Sequence, residues 1–335
     1  MAGTDAANQE KGPKTSPTAT TAPGRAAQTA GSGYRTRAME GREPVRFRLG
    51  EVTIQRCIRA TLLVSMLVLV GVPATSPSVA AKPATVPGLP VQLALGDSWA
   101  FGFGAAVPGE GGYVAQLHEA LIQRYDCLPA RAERPLGHCR QLQLVSLARG
   151  GATTPTLIEN QLPGAIALLE SRNADKNPRD DVEVVTLHVG GNDVTNPIIA
   201  ACIGGPTPAC LQTIQSEFAT YRGDLETALA SLRGAAGEDS RIVIGTYDNP
   251  FATCQLGAVP GAVQLADLVL EGGLGVPQGL HDIMRAVAAD HEVEVAEVFG
   301  DLEPQDWVGG SDCLHPDDSG YDKVTDAFLE VLLAG

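Results

Sequence analysis

Leu93-Ala94-Leu95-Gly96-Asp97-Ser98-Trp99-Ala100-Phe101-Gly102 is the stretch from which the rest of the chain is read. An apolar run with the character of a buried strand stops at Gly96-Asp97-Ser98, and a loop of small residues follows. This is the pattern of a parallel strand that delivers a nucleophile to the open end of a sheet. A serine hydroxyl is a weak nucleophile unless a base takes its proton. Gly-Asp-Ser is also ordinary turn chemistry, so a catalytic reading requires a base, an orienting acid and an anion hole elsewhere in the chain.

Outward from this stretch, strand and helix patterns alternate, which predicts a parallel sheet of about five strands with helices on both faces. Strand one is Val91 to Leu95, and helical spacing of apolar residues follows over Gly112 to Arg124, with His118 at its surface or boundary. Strand two, Leu142 to Leu147, runs into Ala148-Arg149-Gly150-Gly151-Ala152-Thr153-Thr154. Paired glycines at a strand end admit close approach of a ligand, and Thr153 or Thr154 is a helix cap; a plain strand-to-helix turn has the same look. Strand three, Val182 to Val189, is β-branched and almost continuously apolar, as expected of a strand buried on both faces. It ends in Gly190-Gly191-Asn192-Asp193, where Asn192 either donates its amide into a cleft or makes a local turn. His188, inside that strand, reads as a core histidine.

Residues 197–210 read as a loop holding Cys202 and Cys210, and Leu211 to Leu232 as a long amphipathic helix. Strand four is Arg241 to Thr246. Residues 255–279, apolar, Gly-rich and low in charge, read as a loop and partial helix near an acyl pocket. A helix over Gly279 to Asp290 follows, with His281 and His291 expected at the surface, and then strand five, Val293 to Val298. Ser311-Asp312-Cys313-Leu314-His315-Pro316-Asp317 lies in a loop before a last helix, Gly320 to Leu333.

Ser98, His315 and Asp312 supply the three roles of a hydrolytic triad. Ser98 attacks an ester carbonyl, His315 takes the serine proton and returns it to the leaving alcohol, and Asp312, three residues upstream, holds the other ring N–H. The Ser98 and Gly151 backbone N–H groups and the Asn192 side-chain amide make the anion hole. In an open parallel sheet, ligands bind beyond the carboxyl ends of the strands, where Ser98, Gly151 and Asn192 all fall.

Four segments in this order resemble the motif blocks of the SGNH, or GDSL, hydrolases: Gly96-Asp97-Ser98; Gly151 within Leu147 to Thr153; Gly190-Gly191-Asn192-Asp193, matching Gly-x-Asn-Asp; and Asp312-Cys313-Leu314-His315-Pro316, matching Asp-x-x-His. Together they cover the chain from about 91 to 333. The resemblance implies a three-layer α/β/α, flavodoxin-like fold and a cofactor-free, metal-free esterase or lipase acting in lipid degradation. Trp99, where many members carry a smaller residue or a tyrosine, and Arg149 beside the expected anion hole depart from the pattern.

Composition divides the chain of 335 residues. Residues 1–59 read as a disordered leader, rich in Gly, Ala, Thr, Ser and Pro, or as sequence upstream of the true translation start, with Met39 as one candidate. Residues 60–81 read as a signal-peptide hydrophobic region, Ala60 to Val72, and a cleavage site after Ala80 or Ala81. The apolar run falls short of the about 20 residues that span a bilayer; an uncleaved anchor is the alternative. Residues 82–335 are then the hydrolase domain, secreted to the extracellular side and with no stable membrane anchor after cleavage. Residues 1–80 hold ten Lys or Arg and five Asp or Glu, so the whole-chain charge of −15 leaves −20 for residues 81–335. Such an acidic body argues against nucleic acid or anionic lipid as a partner. A monomer acting on a small-molecule ester or lipid is expected.

Six of the seven cysteines lie in the body: Cys127, Cys139, Cys202, Cys210, Cys254 and Cys313. An even number in an exported chain suggests disulfides, with 15 connectivities open to six cysteines. The pairing with the shortest loops is 127–139, 202–210 and 254–313, and the resemblance to secreted actinobacterial members implies the same sequential pattern. No pair has the close spacing of a zinc site.

Three other readings stand beside the ester hydrolase. A carbohydrate acetylesterase of the same family is mildly disfavoured by an aromatic content of 4%, because sugar platforms rely on stacking. A non-catalytic secreted binding protein of the same fold predicts a lost nucleophile or base, and both are present. A flavin or nucleotide protein lacks a Gly-x-Gly-x-x-Gly after a strand and a phosphate-loop lysine.

Overall fold

The five β-branched and apolar segments pair as one parallel sheet. In the computed structural model, which describes residues 83–124, 142–175, 177–202, 205–238 and 240–334, the strands are β1 (Val91–Gly96), β2 (Gln143–Ser146), β3 (Val182–His188), β4 (Arg241–Gly245) and β5 (Glu294–Ala296), in the order β2-β1-β3-β4-β5. All four pairings are parallel, and β1 and β3 are buried along their whole length. The leader at 1–59, the apolar run and cleavage site at 60–81, and the Cys127–Cys139 pair lie outside the described residues.

The helices are α1 (Ser98–Phe101), α2 (Tyr113–Arg124), α3 (Thr154–Asn160), α4 (Leu162–Asn173), α5 (Gly191–Cys202), α6 (Pro208–Ala236), α7 (Ala262–Glu271), α8 (Leu280–Asp290) and α9 (Asp318–Leu333). The chain crosses from β1 to β2 in one direction and from β2 back over β1 to β3 in the other. Right-handed crossovers therefore put α2 on one face and the later connecting helices on the opposite one. Packing agrees: α2 lies against α9, while α4 and α8 both lie against α6. The reversal leaves a crevice beyond the carboxyl ends of β1 and β3, the switch point at which this strand order binds ligands.

Two elements differ from the sequence expectation. Residues 197–202 are not loop but the second half of α5, with Pro197 inside it. Proline costs a helix one hydrogen bond, yet Val194, Ile198 and Cys202 recur at four-residue spacing and are buried, and α5 packs along α6. Burial of that stripe outweighs the breaker. The long helix α6 starts earlier than its apolar period suggests, at Pro208, because the Thr207 side chain caps it by accepting from the Cys210 N–H at 3.2 Å and proline suits a first helical position.

His281 is also not at the surface. It is fully buried on α8, accepting from the Tyr247 backbone N–H on Nε2 at 3.2 Å and facing the Glu271 carboxylate with Nδ1. An accepting Nε2 requires the proton on Nδ1, so this ring is a neutral brace between β4 and α7. His188 is the core histidine expected. Its Nε2 donates to the Thr246 carbonyl at 2.9 Å, and burial lowers its pKa to about 3.

Candidate active site

β1 and β3 end side by side, and the turn after β1 is shaped by that contact. The Asp97 N–H donates to the His188 carbonyl at 2.9 Å. Gly96 has φ +135°, and a Cβ there would lie 2.2 Å from the same carbonyl oxygen, so glycine is required. The buried Gln161 side chain completes the strand end, accepting from the Gly96 N–H at 2.9 Å and donating to its carbonyl at 2.8 Å. Asp97 then caps α1 by accepting from the Trp99 N–H at 2.9 Å, and Ser98 becomes the first residue of that single turn.

The loop before α9 meets this turn. His315 Nε2 lies 2.9 Å from Ser98 Oγ, and Nδ1 lies 2.8 Å from Asp312 Oδ2 and 3.0 Å from Oδ1. Asp312 Oδ1 also accepts from the Leu314 and His315 backbone N–H groups at 3.0 and 3.2 Å, so the carboxylate shapes the turn that presents the ring. Burial pushes the Asp312 carboxyl up, but these hydrogen bonds and the facing imidazole outweigh it, and the net pKa lies below the ordinary carboxylate value. Gly104 lets the two loops meet: φ is +92°, and a Cβ there would sit 2.3 Å from the Pro316 carbonyl oxygen and 3.0 Å from His315 Cβ.

The candidate anion-hole residues are joined less directly. The Asn192 side-chain amide donates to the Ala152 carbonyl at 3.0 Å, which ties it to the Gly151 segment and leaves its second hydrogen for a ligand. Asp193 reinforces the tie, accepting from the Thr154 N–H at 2.9 Å. Among the described residues, neither the Ser98 nor the Gly151 N–H has a hydrogen-bond partner. A Cβ on Gly151 would meet nothing within 4 Å, so its face is open. Asn192 and Ser98 line one cleft, and Gly151 is not part of that lining.

The cleft is open at its mouth and takes in about 770 Å³ of space, bulk solvent included. Its walls are mainly apolar: Val194, Ile198 and Ile199 from α5, Phe251 after β4, and Leu265, Val269 and Leu270 from α7. The expectation of an apolar pocket near 255–279 thus falls on α7. Phe103, Val308 and Leu314, exposed at 43%, 46% and 39%, cluster at the loop that carries His315, with the Phe103 ring 5.6 Å from that of His315.

Several site residues carry no motif. Tyr247, after β4, donates its hydroxyl to Asp97 Oδ2 at 2.6 Å. Burial drives the Asp97 pKa up to about 7 against the lowering effect of that bond, and burial likewise lifts Asp193 to about 6. The Trp99 indole N–H donates to the Leu314 carbonyl at 2.8 Å. Only the position of Trp99 beside Ser98 hinted at it; nothing local marks Tyr247 or Gln161. Cys254 and Cys313 are bonded, as are Cys202 and Cys210, so a bridge sits two residues before His315.

A family model described as "GDSL-like Lipase/Acylhydrolase family" matches residues 94–323. Similar solved structures include a phospholipase A1 from Streptomyces albidoflavus (18% identity, TM-score 0.47, 72% of this chain and 98% of that one). An extracellular lipase from Streptomyces rimosus is similar at 17% identity and TM-score 0.47, over 72% of this chain and 99% of that one. An acetylxylan esterase from Geobacillus stearothermophilus follows at 16% identity and TM-score 0.42, over 72% and 93%. No curated protein matches the sequence.

Proposed function

The chain belongs to the GDSL-like lipase/acylhydrolase family, and from that premise we propose that it is a secreted serine hydrolase that cleaves carboxylic esters through an acyl-enzyme on Ser98. The observation that carries this reading is the unbroken line from Asp312 Oδ2 through the His315 ring to Ser98 Oγ, at 2.8 and 2.9 Å.

Each step follows from that line. The Asp312 carboxylate holds the proton on Nδ1, which turns the Nε2 lone pair toward Ser98. Ser98 Oγ attacks the ester carbonyl while Nε2 takes its proton, and the carbonyl oxygen gains the negative charge. The Ser98 and Gly151 N–H groups and the free Asn192 hydrogen stabilise that oxyanion; losing one such donor costs about 10²–10³ in rate. Collapse breaks the bond to the alcohol, which leaves with the proton from Nε2. Water, deprotonated by the same nitrogen, then cleaves the acyl-enzyme and restores Ser98. No cofactor or metal takes part.

The apolar cleft beside Ser98 supports an acyl chain as the group held there, and so lipase or esterase action over acetate removal from carbohydrate. The leader pattern at 60–81 and the disulfides support export, cleavage after Ala80 or Ala81, and a catalytic domain over 82–335. The acidic body supports a monomer that has no nucleic-acid partner.

Hydrolysis of chromogenic esters from C2 to C16 by the wild type and Ser98→Ala tests the reading. We expect turnover best above C2 and lost in the variant. Activity unchanged in Ser98→Ala removes Ser98 from the mechanism, and an optimum at C2 redirects the reading to an acetylesterase.

A further inference from the structure

We propose that Trp99 is a positioning residue for the base: its indole N–H, bonded to the Leu314 carbonyl, holds His315 in register with Ser98. The inference rests on the reading of Ser98 and His315 as nucleophile and base.

Trp99 directly follows Ser98, and Leu314 directly precedes His315. The bond from Trp99 Nε1 to Leu314 O at 2.8 Å therefore runs beside the one from His315 Nε2 to Ser98 Oγ at 2.9 Å. Two neighbouring ties join the same two segments, one between reacting groups and one between the residues flanking them. The Asp312 turn fixes the ring only relative to its own loop. The Val308 N–H also donates to the His315 carbonyl, at 3.2 Å, but Val308 belongs to neither the Ser98 helix nor β1. Trp99 is the side chain that references the loop to the nucleophile's own helix.

The donor is itself fixed. Trp99 is 4% exposed, and its ring meets those of Tyr247 and Trp307 edge-on at 5.2 and 5.8 Å and that of His188 at 5.0 Å. A phenyl ring keeps much of that packing and loses the N–H. The Leu314 carbonyl, partly buried, then loses its donor, and the loop loses a constraint on the Ser98–His315 distance.

The test compares wild type, Trp99→Phe and the protein carrying 3-benzothienylalanine at 99, which replaces the indole N–H by sulfur at nearly the same shape. Kinetics on a chromogenic acetate, which leaves the cleft mostly empty, are read across pH, with Ser98→Ala in parallel. We expect kcat to fall about tenfold in both variants, as misplacement of a catalytic group does, with KM within about twofold and the midpoint of the acid limb unmoved. The isosteric analogue keeps the test valid where phenylalanine packs badly. The inference is overturned by kcat within about twofold of wild type in both variants. It is equally overturned by a rise in KM alone, which makes the ring only a wall, or by a displaced acid limb, which locates the effect in the Asp312–His315 pair. Persistent activity in Ser98→Ala instead brings down the underlying reading, whatever the Trp99 variants do.

Discussion

Asp97 stands next to Ser98 with its carboxyl sealed from water, and its folded pKa of about 7 lies above the ordinary value of 3.8. Unfolding releases that carboxyl to water, where it ionises near its ordinary value. Its favourable contribution is thus whole below about pH 4 and is lost as pH rises toward 7. Asp97→Asn keeps an acceptor for the Trp99 N–H and cannot ionise. The melting temperature of Asp97→Asn relative to wild type should therefore climb between pH 4.5 and 7.5; a constant difference in thermal melts would show that Asp97 does not titrate there. Gly104 offers a steric counterpart. Gly104→Ala drives a Cβ into the Pro316 carbonyl and against His315, and with His315 as the proposed base a displacement of about 1 Å should cut kcat about 100-fold, read by ester kinetics with circular dichroism as the check on folding. At this scale Ser98, Asp312 and His315 were legible because each sits in a short motif with a local reason for its shape. Tyr247, Gln161 and the indole bond of Trp99 were not, because each acts on a segment tens of residues or more away that only the finished sheet brings near.

The strands could be read because β1 and β3 are buried on both faces, β1 ending at Gly96 and β3 running through Val189 into Gly190-Gly191. Elements at the rim were harder. Pro197 marks a break by local rules, and only the face that α5 buries against α6 overrides it. Short β5 is similar: the pattern suggests six residues, yet only Glu294–Ala296 pair with β4. The loop that carries His315 gains what secondary structure does not supply from the Cys254–Cys313 bridge, which closes a separation of 59 residues and ties the loop to the segment after β4. A loop of that size contributes about 4 kcal/mol on the chain-entropy estimate. Titration with a reductant should weaken ester hydrolysis before far-UV circular dichroism changes, since the bridge joins two segments outside the strand pairings. Coincident loss of both signals would mean that the bridge holds the whole fold and not the His315 loop alone.

For the whole molecule, the sheet and its α-helices run from Val91 to Leu333 among the described residues. Among those residues, no helix is long and apolar enough to cross a membrane. A protein begun at residue 82 should melt as one cooperative unit and keep kcat/KM within about twofold of the longest form, measured on the same chromogenic ester; loss of activity on truncation would assign the leader a catalytic or folding role. The charge of −20 over residues 81–335 says nothing about the fold and much about company, since it repels polyanions. The two tryptophans, the only ones in the chain, have ring centroids 5.8 Å apart, and Trp99 directly follows Ser98. The intrinsic ultraviolet emission of this protein is in effect a local optical gauge, reporting one spot and not the average of the chain. If that spot loosens first on heating, emission will change at a lower temperature than ellipticity, and the gap between the two midpoints will measure how far the reactive corner is softer than the scaffold behind it.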